Sequence, residues 1–210
     1  MNSNLLPIAK EGWQNIFYLS LSFLFFTLFD LDFLSFISFG LLLFLFYSYR
    51  NPEREITLFE KDSVVSPVDG YVVSISDMVD SEYALKVVLY SGYGNVGVLR
   101  APMNAKIVQQ QLTFGAKLAG EDRLANKLNE SAVLVFEDEK LNHVKVKHLS
   151  NRSLTKISIN TIKNQSLLQT TRYGFASSGI TTLYLPKNFR LNLRVGNEVS
   201  ASQTLVGYFS

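Results

Sequence analysis

Cysteine is absent from this chain of 210 residues, and histidine occurs only twice, at His143 and His148. The first absence excludes a disulfide framework and a thiolate zinc site, and with so few imidazoles no metal centre is expected. Charge of either sign is also sparse: 20 Lys and Arg against 18 Asp and Glu leave a formal net charge of +2. The basic residues form no stripe and are not interleaved with aromatics, so nucleic acid is not an expected partner. No alternation of strand and helix patterns runs along the chain, which argues against a parallel doubly wound sheet. What the chain has in abundance is Phe, 16 residues of it, much of it within the first fifty positions.

That Phe lies in two uncharged runs, QNIFYLSLSFLFFTLF from Gln14 to Phe29 and FLSFISFGLLLFLFYSY from Phe33 to Tyr49, separated by Asp30-Leu31-Asp32. Each run falls somewhat short of the roughly 20 residues of a comfortable bilayer crossing. A tight pair of spans is expected here, with a deep monotopic insertion as the alternative. A cleaved signal peptide fits poorly, because Lys10 and Glu11 stand together ahead of the first run, no small-residue cleavage site follows it, and a second run comes at once. Lys10 precedes the hairpin, Arg50 and Arg54 follow it, and the turn carries two Asp. The positive-inside rule therefore puts both ends in the cytoplasm, with the rest of the chain on the cytoplasmic face of the cell (inner) membrane. Trp13, Tyr18, Tyr47 and Tyr49 near the run ends suit the headgroup layer.

The expected organisation is a hairpin anchor over 1–50, a linker over 51–62 and one folded domain over 63–210. Within the domain, short β-branched segments punctuated by Gly, Pro and Asn predict strands at Val64–Val65, Tyr71–Ile75, Leu85–Tyr90, Val96–Leu99, Ile107–Leu112, Ala132–Phe136, Val144–His148, Thr155–Ile159, Thr182–Leu185, Leu191–Val195 and Thr204–Tyr208. One short helix is expected within Leu118–Leu128. The fold class is mainly β: a helical hairpin followed by a mostly antiparallel, sandwich-like or barrel-like domain. Three segments, SPVDGYVVSI (66–75), RAPMNAKIVQQQL (100–112) and LRVGNEVSASQTLVGYF (193–209), each set a Pro or Gly turn before a β-branched strand. Carrier domains use that arrangement too, but Met103-Asn104 offers no Lys to carry a group, and hairpin punctuation explains the pattern equally well.

Taken in order, five blocks resemble the phosphatidylserine decarboxylase family, particularly its short, membrane-anchored form. PIAKEGW, an apolar hairpin and YRNPERE are similar to the family's opening, which closes on Arg-Asp-Pro-Glu-Arg. VVSPVDGYV is similar to its Ser-Pro-Ala-Asp-Gly turn, and GVLRAPMNAKIV to a block that usually reads His-Val-Asn-Arg-Ala-Pro. LNES resembles its Asn-Glu-Arg segment, and RYGFASSGITTLYLPKN its C-terminal cleavage region. The resemblance spans nearly the whole chain.

The resemblance implies a lyase that makes its own cofactor. A Ser hydroxyl attacks the preceding carbonyl, the chain splits, and the Ser becomes an N-terminal pyruvoyl group that acts as electron sink while carbon dioxide leaves. Counted back from Pro186 with the longer family spacing, that Ser is Ser178, and the cleavage site is Ser177-Ser178 with Ser177 in the place of Gly. The shorter spacing lands on Gly179. Asp69 matches the acidic residue that assists self-cleavage, and Arg100 matches an Arg that could hold a carboxylate or phosphate of the substrate. A turn Asp bonded to local amides and a solvated strand Arg are the structural alternatives. Gly97 stands where the family block has a His, VKHLSNRSL stands where a Gln-Ile-Ala-Gly segment is usual, and both His143 and His148 read as strand or surface residues. The implied partners are membrane phospholipid and the membrane itself, with a homo-oligomer or a partner decarboxylase compatible. Three functions remain in view: conversion of phosphatidylserine to phosphatidylethanolamine, a catalytically silent relative that binds a lipid headgroup or a true decarboxylase, and a tethered structural β domain.

Overall fold

The computed structural model describes residues 7–54, 59–60, 62–79, 82–119 and 123–210. Part of the expected linker (55–58 and 61) and of the expected helix (120–122) therefore lies outside the described residues. The chain divides into two compact units, Met1–Glu53 and Arg54–Ser210.

The first unit is the hairpin, α1 (Trp13–Leu28) and α2 (Asp32–Ser48). Unbroken apolar side chains leave the backbone to satisfy itself within each helix, and the few hydroxyls do likewise: Ser20, Ser22 and Thr27 donate to the carbonyls four residues back. Asp30 turns the chain at φ 53°, a conformation that Asp tolerates better than most residues. At the base, Tyr49 is fully buried, with Asn15 donating to its hydroxyl at 2.8 Å. A Cβ on Gly12 would stand 2.4 Å from the Tyr49 ring, so this corner needs glycine for the close approach. Elsewhere many large apolar side chains point outward, Phe17, Leu28, Phe33 and Phe36 among them, while Phe23 packs against Phe39. With 16 and 17 residues, the helices reach only about 24 and 26 Å, against roughly 30 Å of bilayer hydrocarbon. The expectation of two spans is corrected accordingly: among the described residues no helix is long and apolar enough to cross a membrane.

The second unit is mainly β, and its paired strands run antiparallel. Strands β1 (Ser63–Val65), β2 (Gly70–Asp77), β3 (Leu85–Ser91), β4 (Val98–Arg100) and β5 (Ala105–Thr113) come first, followed by the short helix α3 (Arg123–Leu128). Next are β6 (Ser131–Glu137), β7 (His143–Ser150), β8 (Ser158–Ile159), β9 (Ser166–Leu167) and β10 (Arg172–Phe175). The chain closes with β11 (Gly179–Leu185), β12 (Phe189–Leu191), β13 (Glu198–Val199) and β14 (Leu205–Phe209). Among the described residues the largest sheet orders eight strands as β13-β2-β3-β11-β7-β6-β5-β9, beside three-stranded sheets β1-β14-β12 and β4-β10-β8.

Period-two alternation decides the faces. In β7, Val144, Val146 and His148 turn inward while Lys145 and Lys147 do not. In β3, Val87, Leu89 and Ser91 are the buried set. β11 lies between β3 and β7 and is buried almost throughout. Val72, Leu89, Leu134, Phe136, Val146, Leu183 and Leu185 form the centre of the core, each such side chain contributing about 1.5–3 kcal/mol. β10 escapes a pattern-based reading because Gly174 interrupts it; a Cβ there would stand 2.3 Å from the Ser158 carbonyl. The predicted strand at Leu191–Val195 shifts to β12, because Arg194 to Asn197 form a turn closed by the Asn197 side chain on the Arg194 amide.

Candidate functional site

The three similar segments meet at the turn between β1 and β2. The Val65 amide donates to Pro102, the Arg100 amide to Pro67, the Ser66 amide to Thr204 and the Ser202 amide to Ser66. Ser66 folds its hydroxyl onto the Val68 carbonyl at 2.7 Å. Gly70 has φ 151° with the Tyr90 carbonyl packed where a Cβ would be, so this turn accepts no other residue without rearrangement. Asp69 is thereby presented, buried, at the centre. Its Oδ1 accepts the Ala201 amide at 2.8 Å, and its Oδ2 accepts the Arg54 guanidinium and, at 3.4 Å, the Val96 amide.

Ser177 and Ser178 occupy the approach to β11, and both are buried. Ser178 donates its hydroxyl to the Ser91 carbonyl at 3.2 Å, and Ser91 donates its own hydroxyl to the Asp69 carbonyl. Asp69 and Ser178 are thus brought together through one intermediary, Ser91. Ser177 is held differently. Its Oγ accepts the Leu154 amide at 2.9 Å and lies 2.7 Å from the Ser153 hydroxyl, which donates to Thr155. Because Ser153 has spent its one proton on Thr155, the Ser177 hydroxyl is the donor between the two serines. Gly179 begins β11 opposite Ser150, and a Cβ on it would stand 2.4 Å from the Leu149 carbonyl. A hydroxyl-bearing residue does not fit there, which leaves Ser178 as the serine hydroxyl beside Ser91.

Next to these residues is a cavity of about 10 Å³, room for roughly one water, lined in part by Ser91, Gly97, Ala176, Gly179, Thr181 and His148. Gly97 cannot carry a side chain into it: a Cβ would stand 2.7 Å from the Ala176 carbonyl and 2.8 Å from the Phe175 ring. His148 reaches the cavity from β7. It is fully buried, with Nδ1 2.8 Å from Thr181 Oγ1 and Nε2 2.6 Å from the Tyr173 hydroxyl. Burial drives its pKa down from the ordinary value to about 3, so the ring is a neutral imidazole, one nitrogen donating and the other accepting. Burial also pushes the Tyr173 phenol up, so it keeps its proton. The reading of His148 as a strand residue holds, yet its place on the cavity wall is new.

Arg100 meets this cluster by its main chain. Its backbone joins the Asp69 turn through Pro67, while its buried guanidinium reaches the Thr170 carbonyl at 3.5 Å. His143 lies at the other end of β7 from His148, 3.5 Å from Glu137. The LNES block is a knot of hydrogen bonds: Asn129 ties Leu118 to Ser150, and Glu130 accepts the Ile157 amide at 3.0 Å. No group of acidic or imidazole side chains able to hold a metal stands together among the described residues. Sequence reasoning did not place Arg54, Ser91 or Ser153 in the site. Arg54 was legible in YRNPERE as a charge but not as a partner, and Ser91 and Ser153 carry no motif.

Residues 41–207 match the family model for phosphatidylserine decarboxylase. The phosphatidylserine decarboxylase proenzyme of Geotalea uraniireducens (strain Rf4) is 27% identical over 205 residues, covering 96% of each chain. That of Symbiobacterium thermophilum is 29% identical over 206 residues, 95% of this chain and 94% of the relative. That of Paraburkholderia xenovorans is 28% identical over 203 residues, 95% of each.

Proposed function

The chain belongs to the phosphatidylserine decarboxylase family, and from that premise we propose that it converts phosphatidylserine to phosphatidylethanolamine through a pyruvoyl group made from Ser178. The observation that carries this reading is the Ser178–Ser91–Asp69 connection, which links a buried Ser hydroxyl to the Ser-Pro-Val-Asp-Gly turn through one residue. In the proposed self-cleavage the Ser178 oxygen adds to the Ser177 carbonyl carbon, and the peptide C–N bond gives way to an ester. Elimination then releases Ser177 as a carboxylate, and water displaces ammonia to leave the pyruvoyl group. Asp69 orients or receives the Ser178 proton, and Arg100 holds an anionic part of the headgroup. The pyruvoyl carbonyl supplies the electron sink for decarboxylation. The hairpin embeds in the cytoplasmic leaflet as a monotopic anchor, confining site and substrate to one surface.

A second reading has its own support: a silent relative that binds a headgroup or a partner decarboxylase. Gly97 and the Phe175 ring close the wall where the family carries its His, and the Ser178 proton goes to a main-chain carbonyl rather than to a base. Intact mass and a denaturing gel of the full chain, beside Ser178→Ala, separate the two. Splitting before Ser178 in the wild type alone supports the lyase; one uncut chain in both sinks it and leaves the binding role.

A further inference from the structure

Arg54 is the first residue of the β unit. Its Nη1 donates to the Ala201 carbonyl at 2.9 Å while its Nη2 donates to Asp69 Oδ2. The Ala201 amide in turn donates to Asp69 Oδ1 at 2.8 Å. Guanidinium, carboxylate and the backbone of Ala201 therefore close a ring of three contacts, with the Arg54 and Asp69 side chains each only 11% exposed.

We propose that Arg54 is a positioning residue of this site, fixing the direction of the Asp69 carboxylate through its planar fork. The consequence for self-cleavage rests on the decarboxylase reading; the fixing of Asp69 does not. A carboxylate met from three sides by Arg54, Ala201 and Val96 cannot turn about its own axis without losing a charge-assisted bond. That orientation reaches further. Val96 precedes Gly97 on the cavity wall, and the Asp69 carbonyl takes the Ser91 hydroxyl, whose residue in turn receives Ser178. Without Arg54, Oδ2 keeps only the long Val96 contact among the described partners, in a place with little water, so the carboxylate swings away. Lysine is no substitute, since a single ammonium cannot meet Asp69 and the Ala201 carbonyl with the geometry of a fork. Neither the Arg-Asp-Pro-Glu-Arg-like block nor the Ser-Pro-Val-Asp-Gly turn reveals this partnership alone.

The alternative is that Arg54 merely ties down the start of the unit. Chemical rescue separates the two, because methylguanidinium restores the fork without restoring the tether. The experiment uses the full chain in phosphatidylserine-containing vesicles, as wild type, Arg54→Ala and Arg54→Lys. It follows both splitting before Ser178 and hydrogen exchange at the Ala201 amide. In Arg54→Ala the amide is expected to exchange at least about tenfold faster and splitting to slow by at least about tenfold, with Arg54→Lys in between. Added methylguanidinium should recover both in Arg54→Ala. Unchanged exchange at Ala201, or faster exchange that methylguanidinium fails to recover, overturns the proposal. If the wild type never splits while exchange rises and is rescued, the decarboxylase reading falls and the role of Arg54 in holding Asp69 stands. Should Arg54→Ala fail to fold, exchange in Arg54→Lys decides: a rate equal to wild type removes the need for a fork.

Discussion

The two halves of the site are built on different principles. Around Asp69, three stretches of chain far apart in sequence converge on one turn, and the carboxylate is met by a guanidinium and two amides. Around Ser177 and Ser178, the contacts are hydroxyl to hydroxyl or hydroxyl to main chain, and the position beside them is closed by Phe175 and Ala176. The acid half is fixed by charge-assisted contacts. The serine half is fixed by neutral hydrogen bonds and close packing. Charge-assisted hydrogen bonds demand a set geometry, whereas packing tolerates exchange so long as volume is conserved.

The contrast can be broken most forcefully at Gly97. Placing a full side chain there in Gly97→His drives it against the Ala176 carbonyl, and we expect a loss of about 1–3 kcal/mol, read as a lower denaturation midpoint with unchanged slope. A variant as stable as wild type means that the wall is not closed, and the two halves are then less different than described. Acidification tests the same half through His148. Its folded pKa lies below its unfolded value, so its share of stability is complete above about pH 6.5 and is lost as pH falls toward 3. Between those limits the unfolded chain binds the extra proton, so stability should fall steadily as the pH is lowered through this range. His148→Gln should remove that component; an identical pH dependence in the variant would place the titration elsewhere. The smallest effect is expected from Ser177→Gly, which releases Leu154 and Ser153 for about 1 kcal/mol and speeds exchange of the Leu154 amide. If the chain self-processes, this variant should split faster, because the turn regains backbone freedom.

Much of this was legible beforehand. Alternation in VKVKH places Val144, Val146 and His148 on one face, and β2, β3, β5, β6, β7 and β11 of the large sheet follow from such segments, while the two-residue β9 and β13 do not. Gly70 and Asp69 were marked by turn chemistry that depends only on neighbours in sequence. The hairpin was visible from composition, but two spans did not follow, because helix length is set by where the turn at Asp30 falls rather than by apolarity alone. β10 stayed hidden behind Gly174, whose value is the room it leaves for a neighbouring chain. Arg54 and Ser91 could not be found for a related reason. Their partners lie 15 and 22 residues away, and no periodicity reports a contact made by folding back.

The place of β11 in the sheet has a practical consequence. The strand is hydrogen-bonded along both sides, to β3 and to β7, and after it β12 and β14 lace into the sheet that β1 enters from the other end of the domain. Severing the backbone before Ser178 would make a nick rather than a departure. The two fragments would stay woven together, travelling as one particle and keeping one hydrodynamic size, and only unfolding would reveal that the protein had become two molecules.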